Sequence, residues 1–275
     1  MDEKAELQAL QSEYRKLGKL FEVLGQVRSG QAETIDQLEK ALKGLPAGET
    51  LGRAVDDLRS RSRAFVERAR HHRAEVFRRI ETEFVREARA NQQFARELDS
   101  GWRIGPLEFA MRREQSRVRV LYNHETLIEW SPVGSRADLD ALQARALSML
   151  EKAALPEDVL ARVFWDAYQQ LCPAGRGTEP AAMTDFYREV RVALVRCELR
   201  ERKPDARLLT VEFPRWSFLY NVDRYRATQS AVEGKRLGFQ VGSQQETRTK
   251  GMVINGLDPQ QDTRVVCYVI ARSHS

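Results

Sequence analysis

The chain has 275 residues, 31% of them charged, with a formal net charge of +5 and a pI near 9.2. That length buries a core without staples, and three widely spaced cysteines, Cys172, Cys197 and Cys267, exclude a disulfide framework. Charges of both signs describe a mixed surface, yet counting Lys and Arg against Asp and Glu gives +1 over 1–99, 0 over 100–202 and +4 over 203–275. The basic excess falls in the last quarter.

The N-terminal stretch Met1-Asp2-Glu3-Lys4 is acidic where a secretory leader is basic, and no apolar run approaches the ~18 residues of a membrane span, so a cytoplasmic protein with no membrane contact is expected. From Leu7 the apolar positions Leu7, Leu10, Tyr14, Leu17, Phe21 and Leu24 alternate steps of three and four, the seam of a coiled coil. The phase continues to Ile35, Leu38, Leu42 and Leu45, with a bend expected near Ser29-Gly30 and a capping box at Thr34 and Gln37. Leu45-Pro46-Ala47-Gly48-Glu49 is the stop. A second seam runs from Leu51, Val55, Leu58, Ser62, Phe65, Ala69, His72 and Val76 through Ile80, Phe84 and Ala88 to Ala95 and Leu98. Residues 1–99 are therefore expected to form a long antiparallel helical hairpin of coiled-coil type. Adjacent His71 and His72 point about 100° apart on a helix and do not share a metal ion.

Ser100-Gly101 ends the helical pattern, and residues 100–275 read as one α+β domain. Strands are expected over 102–130, at Trp102 to Met111, Arg117 to Tyr122 and Thr126 to Trp130, with a turn at Asn123-His124-Glu125. A block of about three helices follows over 137–202: Ala137 to Lys152, Glu157 to Leu171 and Ala181 to Arg202. Strands resume over 207–271, at Leu208 to Phe213, Trp216 to Tyr225, Arg236 to Val241, Gly251 to Asn255 and Arg264 to Ala271. Strands from both ends are expected to share one mixed, mainly antiparallel sheet, with the apolar run Val265 to Ile270 at its centre. Gly242 to Lys250 is expected as a loop or an edge-strand extension, and Gly175-Arg176-Gly177 as a plain connector.

No phosphate loop, dinucleotide fingerprint, HExxH, CxxC or GxSxG stands in the chain, so no cofactor and no metal is predicted. Pro204-Asp205 with Glu233-Gly234-Lys235 is similar in letters to the PD-(D/E)xK nuclease superfamily, which implies Asp205 and Glu233 on a divalent ion and Lys235 beside the attacking water. Only those five residues carry that resemblance. The segment Arg215-Trp216-Ser217-Phe218-Leu219-Tyr220-Asn221-Val222-Asp223-Arg224-Tyr225-Arg226 joins aromatic and basic residues. Read as a strand, it places Trp216, Phe218, Tyr220 and Val222 on one face. Arg215, Arg224, Arg226, Lys235, Arg236, Arg248 and Lys250 are then candidate contacts to DNA or RNA. The leading expectation is a non-enzymatic assembly or adaptor protein that self-associates or binds a partner through residues 1–99. The alternative is a nucleic-acid-binding factor that uses the C-terminal sheet.

Overall fold

The computed structural model describes residues 8, 11, 12, 15, 18, 48–173, 180–201, 213–228, 230–256 and 263–273. The first seam, from Leu7 to Leu45, the turn before Gly48, the Gly175 connector and Asp205 lie outside the described residues. Six α-helices and ten strands stand among the described ones, and the chain divides into two compact units, Met1–Arg73 and Ala74–Ser275.

Helix α1, Gly48–Ala90, is 43 residues long, about 65 Å at 1.5 Å per residue. In the first unit its side chains at Phe65 and Ala69 are half-buried while Val66 is 44% exposed. In the second unit the steps Ala74, Phe77, Glu81, Phe84, Val85 and Ala88 are buried, one helical stripe set into a core. The expected helix to Leu98 is corrected here. Gln92 takes a φ of 59° and ends the helix, and Ala95–Leu98 is strand β1.

Strands β1 to β5 form one antiparallel meander in chain order: after β1 come β2 Gly101–Ile104, β3 Leu107–Arg112, β4 Arg117–Tyr122 and β5 Glu125–Pro132. The single strand expected from Trp102 to Met111 is broken by Gly105-Pro106. Gly105 has a φ of 56°, so the chain reverses in two residues and pairs Ile104 with Leu107. Asn123 and His124, at φ 50° and 64°, make the next such turn. Ile104, Leu107, Phe109, Met111, Val118, Val120 and Ile128 line the buried face. There Phe84 of α1 meets Phe109 edge to face at 5.2 Å.

Helices α2 Arg136–Lys152, α3 Glu157–Leu171 and α4 Met183–Glu201 follow. A capping box between Ser135 and Asp138 starts α2. The segment expected as the strand Trp216 to Tyr225 is instead helix α5, Arg215–Thr228. Phe218, Asn221, Val222 and Tyr225 are all buried at helical spacing, and Phe164, Phe186 and Phe218 pack ring against ring around them. Gln244–Lys250 is likewise a helix, α6, opened by a Ser243–Glu246 capping box, where a loop or edge strand was expected.

The shared sheet is the larger correction. The remaining strands make two separate small sheets: β6 Ala181–Ala182, β10 Tyr268–Ser273 and β7 Lys235–Gln240 in the order β6-β10-β7, and β8 Met252–Ile254 with β9 Arg264–Val266. No described strand after residue 180 pairs with the meander. Helix α5 packs beside β5, where Arg215 Nε sits 3.2 Å from Glu125 Oε1. The segment that would have extended the sheet forms its neighbouring helix. The run around Cys267 splits between two sheets, with Val266 ending β9 and Tyr268 opening β10.

Candidate nucleic-acid interface

Strand alternation sorts the meander into two faces. Opposite the buried face, the registers Arg96↔Arg103, Arg103↔Glu108, Ala110↔Arg119 and Arg112↔Arg117 place five arginines and one glutamate on the same side. Arg103 and Glu108 are buried, whereas Arg96, Arg112 and Arg117 are exposed and Arg119 is half-buried. Ala110 and Leu121 on this face are each 8% exposed, which fits aliphatic arginine stems lying over them.

Trp130 joins this face through an irregularity in β5. Val118 pairs with Ser131 and Val120 with Ile128, so Glu129 and Trp130 together oppose Arg119. Such a bulge re-aims a side chain. The Arg112 guanidinium lies 4.1 Å and that of Arg119 5.0 Å from the indole centroid, inside the range of a cation–π contact. Arg112 and Arg117 stand directly opposite each other, a like-charge pairing that costs stability. No carboxylate among the described residues forms an ion pair with Arg112, Arg117 or Arg119, and the buried Nε of Arg119 has no hydrogen-bond partner. Two planar guanidiniums held by one indole thus present cationic edges on an exposed sheet surface.

Glu108, on this face, is occupied, 2.9 Å from Nδ1 of His124. That hydrogen bond raises the His124 pKa above 6.5, against the opposing effect of partial burial. On the other side of the sheet, Asp223 Oδ2 accepts hydrogen bonds from the Tyr122 hydroxyl (2.8 Å) and the Asn123 amide (2.9 Å). Burial keeps the Asp223 carboxyl above its ordinary value in spite of these donors and of Arg226.

The residues expected from sequence to contact nucleic acid are dispersed. Arg215 pairs with Glu125, and Arg224 donates to the Leu155 carbonyl. Arg226 donates to Asp223 (2.9 Å) and to the Asn255 carbonyl (2.7 Å). Lys235 and Arg236 open β7, and Arg236 pairs with Arg272 in the register. Arg248 is exposed on α6, and Lys250 Nζ donates to the Tyr268 hydroxyl at 3.2 Å. Trp216 and Tyr220 are half-buried against the core, and Phe218 and Val222 are fully inside it. Glu233 and Gly234, both at positive φ, form a two-residue turn. Glu233 accepts from the Trp165 indole (3.2 Å) and Lys235 is exposed beside it. Asp205 and the seam residues Leu7, Leu10, Tyr14, Leu17, Phe21 and Leu24 lie outside the described residues. Among the described residues no group of three or more His, Cys, Asp or Glu could hold a metal ion, and no helix is long and apolar enough to cross a membrane.

Arg112, Arg117, Arg119 and Trp130 escaped sequence reasoning because the charge count over 100–202 is zero. The signal was nonetheless present. Arg117 and Arg119 alternate within an expected strand, and Arg112 precedes them at hairpin distance.

The chain matches no family model, no curated protein and no solved structure.

Proposed function

We propose that the protein binds nucleic acid through its phosphates, using Arg112, Arg117, Arg119 and Trp130 on the open face of the meander. The observation that carries this is the Arg112–Arg117 cross-strand pair beside two guanidiniums on one indole, with no acid among the described residues paired to any of the three. A sheet gives up stability to oppose like charges, and a polyanion laid across them recovers it. Guanidinium forks match phosphate oxygens bidentately, and stacking on Trp130 fixes their planes before binding, which reduces the ordering cost. The contact is to the backbone, so it confers affinity and position rather than sequence choice.

Fluorescence anisotropy with labelled single-stranded DNA, single-stranded RNA and duplex DNA at low salt tests it. At least one probe binds, and Arg112→Ala with Arg119→Ala weakens it by about tenfold or more, as expected for two lost charge-assisted contacts. Absence of binding to all three probes, or undiminished binding by the double variant, refutes it.

Self-association through residues 1–99 is a second reading, favoured by α1, where Val66 and Val76 are 44% and 39% exposed on a 43-residue helix. A second copy of the chain is the occupant it names. Sedimentation velocity over a hundredfold concentration range shows a dimer or larger species if it holds, and a strict monomer throughout excludes it.

A further inference from the structure

A cleft of about 400 Å³ opens at the end of the β2–β3 hairpin and is lined by Phe94, Arg103, Ile104, Pro106, Leu147 and Asn255 together with Gln93 and Gln143. Its size falls in the range of small-molecule sites, and its make-up is the usual one: apolar walls with few convergent polar groups. The Gln143 amide donates to Gln93 Oε1 at 3.3 Å and ties helix α2 to the segment before β1.

Arg103 is the informative residue. It is 6% exposed, yet only Nη2 has a hydrogen-bond partner among the described residues, the Asn255 side-chain oxygen at 2.7 Å. Its Nε is buried without a partner. Two carboxylates act on it from nearby, Glu108 and Asp223, but the first is engaged by His124 and the second by Tyr122, Asn123 and Arg226. The Phe94 ring centroid lies 5.9 Å from the guanidinium. A guanidinium has five N–H donors, and a buried charge left this far short of partners is costly. The hairpin turn does not fill the space, because Gly105 contributes no side chain there.

We infer that this cleft binds a small organic carboxylate, its charged end on the free donors of Arg103 and its apolar or aromatic body between Phe94, Ile104, Pro106 and Leu147. Glu108 and Asp223 already lie near Arg103 and disfavour a dianion, so the ligand carries one negative charge and no more. Asn255 holds the guanidinium in place, and the Gln93–Gln143 pair forms the polar rim. None of Arg112, Arg117, Arg119 and Trp130 lines the cleft.

Isothermal titration of the full chain with phenylacetate and with its neutral isostere phenylacetamide tests this. Phenylacetate binds with a Kd of about 1 mM or tighter and the amide about tenfold or more weakly. Arg103→Gln weakens phenylacetate by about tenfold and leaves the amide unchanged. Gln143 is half-buried at the rim, and in Gln143→Glu the Gln93 amide turns to donate to the new carboxylate, which weakens phenylacetate alone by about threefold or more. No phenylacetate binding up to about 10 mM, equal binding of acid and amide, or indifference of phenylacetate to Gln143→Glu overturns the assignment.

Discussion

Glu81 holds the last turns of α1 onto the inner strands of the meander. It accepts from Arg113 Nε (2.8 Å) and Nη2 (2.7 Å) and from the Trp102 indole (2.7 Å). Burial pushes its carboxyl up, but the hydrogen bonds from Arg113 and Trp102 outweigh that and leave it below 4.5. Its contribution to stability is therefore present above 4.5 and is lost as the pH falls through the lower folded value. Glu81→Ala leaves the Arg113 charge and the indole N–H short of a partner and lowers the unfolding free energy by about 2–3 kcal/mol, measured by urea denaturation at pH 7. His124 has the opposite sign. Its folded pKa is raised by Glu108, so its contribution is full below 6.5 and fades as the pH rises through the folded value. Titration of its ring protons by NMR gives a midpoint above 6.5 that returns toward 6.5 in Glu108→Gln. Gly105 shows what a single letter specifies: a Cβ there meets nothing within 4 Å, so the cost of Gly105→Ala comes from its φ of 56° alone, about 1 kcal/mol in a thermal melt. The sequence contains Gly105-Pro106 in plain sight, yet a continuous strand was expected because the residues on both sides are apolar.

At the scale of elements, what was legible followed from unambiguous period and from caps. Helices α2 and α3 stand within a residue of their expected bounds, since Ser135 and Pro156 mark their starts. The segment 215–226 was misread because two periods fit it. Trp216, Phe218, Tyr220 and Val222 alternate as in a strand, while Phe218, Asn221, Val222 and Tyr225 recur as in a helix, and only burial decides between them. The buried Asn221 is the signature that favours the helix: its amide donates to the Ala153 and Ser217 carbonyls, and its oxygen accepts from the Leu155 N–H. The short α6 was missed although Ser243 and Glu246 spell a capping box. Ser243→Ala removes that cap and destabilises the protein by about 1 kcal/mol, seen as a lowered urea midpoint with an unchanged slope.

For the whole molecule, one cluster of buried residues unites the meander, the helices and the two smaller sheets of the second unit. That unity depends on long-range pairing, such as Trp165 with Glu233, which no local pattern encodes. The charge map is hidden for a similar reason. Residues 203–275 hold the basic excess, but Arg224 and Arg226 use their charge on internal carbonyls and on Asp223. Residues 100–202 are neutral in sum, yet sheet pairing gathers Arg112, Arg117 and Arg119 on one surface, and no carboxylate among the described residues forms an ion pair with them. Net charge by segment points to 203–275, whereas strand register brings together the arginines of the face proposed for a polyanion.

The most direct test is the salt dependence of nucleic-acid affinity in the parent and in Arg112→Ala/Arg117→Ala/Arg119→Ala. Each phosphate contact contributes about 0.7 to the slope of log K against log salt for a single strand. The triple variant should therefore lose about two units of slope while its urea midpoint is unchanged or higher, because the opposed arginines are gone. An identical slope in the two proteins, measured on the same single-stranded probe, contradicts phosphate binding at this face.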